Sequence, residues 1–182
     1  MHVELSSICN GERPGLPSAF ALFLKETLQR VMSERRREVV VPAQLLVDGA
    51  RDTAWVLSAD AYCVDDDGAV LDAMVAAVVV ALESTVLPPL AWNKQTGRFE
   101  QTEGAGTRLT LSNRPFARTF ALIDKWIVAD PSHEEESVAG ALVSVVYDAD
   151  GRLAAVEKRG GTALSRAQLA QCVETALKNK PK

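Results

Sequence analysis

Residues 70–82 form an almost uninterrupted apolar run, V-L-D-A-M-V-A-A-V-V-V-A-L, which predicts a helix. A helix that is apolar on nearly every side belongs inside a domain, where we expect it to pack on a sheet. Its one charge, Asp72, lies near the start, where the helix dipole favours an anion. Because the run is shorter than the roughly 20 residues that cross a bilayer, we expect no membrane contact.

The segment before this helix predicts a strand and a turn. Residues 55–64 are rich in β-branched, aromatic and small apolar side chains, which is typical of a strand. The acidic run 65–67 and Gly68 then favour a tight turn. A calcium loop with Gly68 at its sixth position would begin at Cys63, which is not a calcium ligand. The acidic run is therefore interpreted as a turn rather than a metal site.

The N-terminal part of the chain predicts one amphipathic helix, over residues 18–33. Its apolar stripe recurs at three- and four-residue spacing and consists of Phe20, Phe23, Leu24, Leu28 and Val31. The sequence E-R-R-R-E at 34–38 ends the helix. Its three arginines suit an RNA patch. A solvated helix end is the favoured interpretation, because cations are favourable at the negative, C-terminal end of the helix dipole. Residues 1–16 are interpreted as an entry segment, and short strands are predicted at 2–5, 39–41 and 45–47.

The C-terminal part predicts mainly antiparallel strands, followed by a helix. The expected strands are 90–93 and 98–101, 107–111, 115–123, 126–129, and the pair 138–147 and 152–158. Residues 130–136 are expected to form an acidic loop. Ser165 is expected to cap a final helix over 166–179. The predicted inner face of that helix consists of Leu169, Cys172, Val173, Ala176 and Leu177. The fold class is therefore α+β, with helices packed on a mixed sheet.

The bulk composition is that of one ordinary globular domain. The chain has 182 residues, of which 47% are hydrophobic and 24% charged. A net charge of -4 provides no global basic field for nucleic acid, so RNA contact requires a local patch. The three cysteines are far apart and form no C-x-x-C spacing. This argues against a zinc site or a disulfide framework and favours a reducing, intracellular compartment.

Two groups of charged residues are candidates for chemistry. The segment D-P-S-H-E-E-E at 130–136 offers Asp130 and Glu136, which suit acid–base or metal chemistry, although a solvated acidic cap explains the cluster equally. Arg114 and Arg118 are four residues apart and share one face of a predicted strand. Together with Arg98 they are candidates for phosphate contact, and surface solubilisation is the alternative.

Three segments, taken in order, resemble the RNase PH-type domain. They are residues 55–73 followed by the apolar helix and Leu87-Pro88, then I-V-A-D-P-S-H-E-E-E at 127–136, and finally E-K-R-G-G with L-S-R-A-Q-L-A-Q-C within 157–172. The resemblance covers roughly residues 45–180. It implies an RNase PH-like (ribosomal protein S5 domain 2-like) fold, a mixed sheet with packed helices. Residues 1–182 would form one such domain, incomplete on its N-terminal side, because the family's opening β/α segment has no counterpart.

The same resemblance implies that the phosphorolytic activity is lost. Active members carry Gly-Thr-Arg at the start of the buried helix and bind phosphate there, whereas this chain has G-A-V-L-D at 68–72. Asp130 matches the first acid of the family's catalytic pair, and Glu136 falls where active members carry Asp. The chain is thus similar to the non-catalytic RNase PH-type subunits of the RNA exosome ring.

This similarity implies other RNase PH-like ring subunits, cap subunits and single-stranded RNA as partners. It implies no membrane contact, no cofactor and no bound metal, and a location in the nucleus, including the nucleolus, and the cytoplasm. The alternative is a residual metal- or phosphate-dependent 3′–5′ exoribonuclease that uses Asp130 and Glu136. A stand-alone α+β binding module is the alternative from outside the family.

Overall fold

The computed structural model describes residues 2–5, 18–33, 39–47 and 53–180. The predicted α+β class is confirmed. The four α-helices are α1 (Ser18–Ser33), α2 (Val70–Ser84), α3 (His133–Val138) and α4 (Arg166–Lys178). The strands are β1 (His2–Leu5), β2 (Ser58–Ala61), β3 (Val86–Leu87), β4 (Leu90–Asn93), β5 (Arg98–Gln101), β6 (Thr107–Arg108), β7 (Phe116–Ile123), β8 (Trp126–Ala129), β9 (Ala141–Tyr147) and β10 (Leu153–Arg159).

A four-stranded antiparallel sheet in the order β10-β9-β7-β8 forms the centre of the C-terminal part. Strand β7 pairs with β9 along residues 116–122, but it pairs with β8 only along residues 120–123. On the side away from β9, the first half of β7 therefore has no neighbouring strand among the described residues. The remaining strands form three separate pairs, of which β1 with β2 is parallel and β3 with β6 and β4 with β5 are antiparallel.

Helices cover both faces of this sheet. Successive side chains of a strand point to opposite faces, so β7 and β9 contribute side chains to both helix layers. Ala117 and Val146 belong to the core that includes α1 and α2. Phe116 and Phe120 point the other way and pack in a second cluster with Cys172 of α4. The large apolar side chains of β7 and β9 are thus divided between two helix layers.

Helix α2 is confirmed at its predicted position, but it is not buried all round. Its inner stripe includes Val75 and Val78, which are buried in the main core. The opposite stripe carries Ala76, Ala77 and Val80, all exposed, and the Val80 side chain is 62% exposed. The prediction of full burial is wrong because no described element covers this second stripe. Within the described residues, no helix combines the length and apolar character needed to cross a bilayer.

The short strands predicted at 39–41 and 45–47 are wrong. Each segment contributes a single bridge, Val40 to Leu111 and Leu46 to Ala54, on either side of a 3-10 turn over Pro42–Leu45. The proline fixes φ and lacks a donor, so it starts a turn here rather than continuing a strand. The predicted strand over 55–64 shortens to β2, and that over 107–111 shortens to β6. The entry segment, apart from β1, and the run 34–38 lie outside the described residues.

Two further corrections concern the C-terminal part. The predicted acidic loop contains α3, whose N-terminus has a capping box: Ser132 N–H donates to Glu135 Oε2 at 2.9 Å, and Glu135 N–H donates to Ser132 Oγ at 3.3 Å. In α4, Cys172 is buried as predicted, but Leu169 and Leu177 are 38% and 42% exposed. The helix therefore presents a narrower inner face to the sheet than its sequence pattern indicates.

Candidate functional site

The turn before α2 packs directly against the loop before α3. Gly68 has a φ of +94°, a conformation that glycine adopts without strain. A Cβ at this position would lie 2.1 Å from the carbonyl oxygen of Pro131 and 2.8 Å from the carbonyl carbon of Ser132. The two backbones thus approach so closely that no side chain fits between them. We call this place, formed by residues 65–69, residues 130–136 and Arg159, the acidic junction.

A carboxylate of the chain itself binds the backbone at the centre of the acidic junction. The backbone N–H of Ala69 donates to Glu136 Oε1 at 2.9 Å. Ala69 has a φ of +47° and is the residue that precedes the first turn of α2. An N–H at this position, next to the positive end of the helix dipole, is a favourable place for an anion. In this chain that anion is the Glu136 side chain.

Arg159, at the end of β10, provides the positive charge of the junction. Burial lowers the pKa of its guanidinium, while the neighbouring carboxylates of Glu136 and Asp66 act in the opposite direction. The guanidinium carbon also lies 5.3 Å from the centre of the Phe23 ring, within the range of a cation–π contact. The junction therefore combines acids from two segments with a cation from a third.

A second carboxylate, that of Asp72, is held between α2 and the sheet. Thr119 N–H donates to Asp72 Oδ2 at 2.7 Å, and Thr119 Oγ1 donates to Asp72 Oδ1 at 2.8 Å. Thr119 Oγ1 also lies 2.8 Å from Ser144 Oγ on β9. Asp72 is thus a link from helix to sheet, which explains its position more fully than the helix dipole alone.

The surroundings of Asp72 favour its protonated form. Burial raises the pKa of this carboxyl from 3.8 to about 6, although both Thr119 hydrogen bonds and the nearby Arg118 act to lower it. Asp130 adds a smaller repulsive effect that raises the pKa. Asp130 itself has a φ of +55°, and its N–H donates to the carbonyl oxygen of Thr119 at 3.0 Å. The predicted acid Asp130 is therefore near Asp72 at the free edge of β7.

The three predicted phosphate-contacting arginines lie in two places. Arg98 is exposed on the β4–β5 hairpin. Arg114 precedes β7 and pairs through Nε with Glu83 Oε1 of α2 at 2.5 Å, while Arg118 donates from Nη2 to the carbonyl oxygen of Asn179 at 3.5 Å. Both line one cavity beside β7. The predicted strand includes Arg114, but the observed strand begins after it, so the cavity rather than a strand face brings the two together.

Sequence patterns did not identify Arg159 or Thr119 as residues of interest. Arg159 is one of several scattered basic residues of the sequence, and it stands in the E-K-R-G-G segment that carries part of the family resemblance. Thr119 has no such signal, because its partner Asp72 is distant in sequence. Among the residues that the structure describes, no three His, Cys, Asp or Glu side chains gather in a group suited to a metal ion.

Comparison with known proteins shows similarity to exoribonuclease-type proteins of the exosome. Residues 113–179 match the model of the 3′ exoribonuclease family, domain 2. The exosome complex component rrp43 of Schizosaccharomyces pombe is 27% identical over 176 residues, which are 96% of this chain and 64% of that protein. The exosome complex component Rrp42 of Aeropyrum pernix is 32% identical over 157 residues, which are 86% of this chain and 55% of that protein. The chain therefore spans less than two thirds of these relatives.

Solved structures with the same fold come from archaeal exosomes. An archaeal exosome core matches with a TM-score of 0.76 and 23% identity, over 97% of this chain and 64% of that chain. A chain of the Archaeoglobus fulgidus exosome with RNA bound to the active site matches with a TM-score of 0.75 and 24% identity, over 97% and 65%. The predicted RNase PH-like fold is thereby confirmed. The tail K-R-G-G-T-A-L-S-R-A-Q-L-A-Q-C at 158–172 predicts a similarity to ribosomal RNA-processing protein 43, and exosome components of both the 43 and the 42 type are among the relatives. Residues 113–179 of this chain thus match domain 2 of the 3′ exoribonuclease family, the chain has an RNase PH-like fold, and it is similar to exosome complex components.

Proposed function

We propose that the chain is a non-catalytic structural subunit of an exosome-type ring, supporting 3′-to-5′ RNA processing and degradation without cleaving RNA itself. The observation that carries the proposal is the hydrogen bond from Ala69 N–H to Glu136 Oε1, at 2.9 Å. A donor at the start of α2 that would suit a phosphate is already bound to a carboxylate of the chain.

Two features of the acidic junction reinforce this interpretation. Residues 68–72 supply no cation at the start of α2, and Arg159 is shared with Glu136 and Asp66. The close approach of Gly68 to Pro131 leaves the turn packed against the loop. A phosphate entering here would have to displace Glu136 and then lie among carboxylates, whose repulsion grows as water is excluded.

The proposed partners are other RNase PH-like ring subunits and cap subunits, with single-stranded RNA contacted through basic residues that include Arg98, Arg114 and Arg118. Relatives named as exosome complex components support this assignment. We further propose that the complex occurs in the nucleus, including the nucleolus, and in the cytoplasm. Contacts to RNA phosphates without base readout would make RNA binding weaken as salt rises.

The decisive experiment separates assembly from catalysis. The chain is co-expressed with its RNase PH-type partners, and native mass spectrometry measures the stoichiometry of the complex. We expect a defined ring with this chain in fixed copy number, and a free monomer would contradict the structural role. RNA degradation is then measured with phosphate or divalent metal, for the wild type and for Asp130→Ala and Glu136→Gln. Equal rates are expected, whereas degradation lost in Asp130→Ala would favour the residual exoribonuclease.

A further inference from the structure

A cavity of about 500 Å³ lies beside the first half of β7, and no residue of the acidic junction is part of its lining. We propose that it binds one nucleotide unit, a nucleobase with its phosphate, either free or as part of single-stranded RNA. The RNA form of the proposal deepens the RNA contact proposed above and rests on it. Binding of the free nucleotide does not. The volume is within the range of small-ligand pockets, which are about 300–1,000 Å³.

One wall of the cavity is apolar. Val79 and Val80 of α2 form it, while Pro115 and Phe116 line the cavity at the start of β7, where the Phe116 side chain packs on the opposite face of the sheet. Val80 is exposed, so its side chain is available to a ligand, whereas Val79 is buried at the base. The flat face of a nucleobase gains contact energy against a wall of this kind, because the wall buries the ring without requiring hydrogen bonds.

Strand β7 offers the cavity a hydrogen-bond donor and acceptor from its backbone. Thr119 N–H donates to Asp72, and Thr119 C=O accepts from Asp130 N–H, so both groups point away from β9. In an antiparallel pair, residues two apart along a strand have the same orientation. The N–H and C=O of Ala117, which pairs with Val146, therefore also point away from β9, and Ala117 lines the cavity.

On this edge of β7, the outward backbone groups that a ligand can use are those of one residue, Ala117, and this determines the kind of ligand. Pro115 has no N–H, and the outward groups of Thr119 are already bonded to Asp72 and Asp130. An added peptide strand would need several alternate residues of the edge for its main-chain hydrogen bonds. A nucleobase needs only one donor and one acceptor side by side, because its own edge presents such a pair. Ala117 therefore suits a base better than a peptide.

The rim supplies cations for a phosphate. Arg118 donates to the neutral carbonyl of Asn179, and Lys180 Nζ donates to the neutral carbonyl of Ala149. Neither contact cancels the positive charge. Arg114 is paired with Glu83, and Asp72 is the second carboxylate of the lining. Three cations thus face two acids, and a phosphate ester near Arg118 and Lys180 would complete the local charge balance.

The test is titration calorimetry of the 182-residue chain with adenosine monophosphate, adenosine and inorganic phosphate, together with anisotropy of a labelled oligoadenylate. We expect saturable binding of the monophosphate that weakens with salt and exceeds the binding of adenosine or phosphate alone. Arg118→Gln should weaken it by about 10–100-fold, because it removes a charge-assisted contact. Lys94→Gln makes the same charge change in the turn between β4 and β5, outside the cavity lining, and should leave monophosphate binding unchanged.

A second variant separates the cavity from a simple surface charge. Val80→Trp fills the cavity from an exposed helix position without changing charge, so it should abolish monophosphate binding while thermal unfolding confirms the fold. Equal affinity for phosphate alone, or binding that is indifferent to Val80→Trp, would overturn the proposal. Oligoadenylate binding without monophosphate binding, or tighter binding of an acidic peptide, would also overturn it. Failure of ring assembly bears only on the proposed function, since the monophosphate titration does not need the ring.

Discussion

Asp72 makes the stability of this protein depend on pH in an unusual direction. Its carboxylate accepts two hydrogen bonds from Thr119, yet burial raises its pKa from 3.8 to about 6. The native state therefore binds the proton more tightly than the unfolded chain. It follows that this group's contribution to stability is fully present below about pH 3.8 and is lost as the pH rises through about 6.

The magnitude follows from the two pKa values. The interval from 3.8 to about 6 corresponds to about 3 kcal/mol at 1.36 kcal/mol per pH unit. Asp72→Asn removes the titration while keeping an oxygen that can accept from Thr119 N–H. We expect the stability of this variant relative to the wild type to rise by about 2–3 kcal/mol between about pH 4 and pH 8.

Urea unfolding of both proteins across this pH range, followed by circular dichroism, measures the difference. All other titrating groups are common to the two proteins, so their contributions largely cancel. A difference that is constant with pH would mean that Asp72 does not titrate differently in the folded state. A difference of opposite sign would show that the Thr119 hydrogen bonds outweigh burial, and either result would refute the reasoning.

Two further predictions concern neighbouring positions. Thr119→Val removes both side-chain hydrogen bonds of Thr119 and should destabilise the fold by about 1–3 kcal/mol, measured by urea unfolding at neutral pH. It should also move the titration of Asp72 to higher pH, since the Thr119 side-chain bond lowers that pKa, and Thr119→Ser, which keeps the hydroxyl, should not. Gly68→Ala places a Cβ 2.1 Å from Pro131 O and should cost about 2–4 kcal/mol. Gly97→Ala is its control, because Gly97 also has a positive φ, of +64°, but nothing lies within 4 Å, so equal losses would contradict a clash at Gly68.

The long elements could be predicted from sequence because each has enough periodic positions to define a face. Helix α2, strand β7 and helix α4 are confirmed within a few residues of their predicted bounds. Local signals also sufficed at the ends of elements. Ser165 caps α4 through Gln168 N–H at 3.2 Å, as its position before an apolar stripe indicates.

The short elements could not be predicted because tertiary contacts decide them. The three valines at 39–41 before Pro42 suit a strand. In the structure, however, the residues on each side of this proline form only one bridge, Val40 to Leu111 and Leu46 to Ala54. Strands this short have no intrinsic preference strong enough to overcome their surroundings. Helix α3 was missed for the opposite reason: its capping box is local, but six residues without an apolar stripe give no helical periodicity.

The acids of the candidate site were identified from sequence, but what they bind was not. Asp130 and Glu136 stand in a recognisable segment, whereas the donor to Glu136 is a backbone N–H that is 67 positions away in sequence. A backbone group leaves no trace in the side-chain pattern. Arg159 likewise reaches the acidic junction from the far end of β10, so only the folded chain brings it to Glu136 and Asp66.

Three carboxylates of this chain have the same structural role. Glu136 binds Ala69 N–H, Asp72 binds Thr119 N–H and Glu135 binds Ser132 N–H. Each joins two segments or starts a helix, and a carboxylate used in this way is less available as a base or metal ligand. The family resemblance implies that active members bind phosphate at the start of the helix that corresponds to α2. Here the same backbone donor stabilises the contact between α2 and α3. If the chain is non-catalytic, as proposed, a phosphate site at the start of α2 would require more than a basic residue at 69–71, because the bond from Ala69 to Glu136 would also have to be replaced.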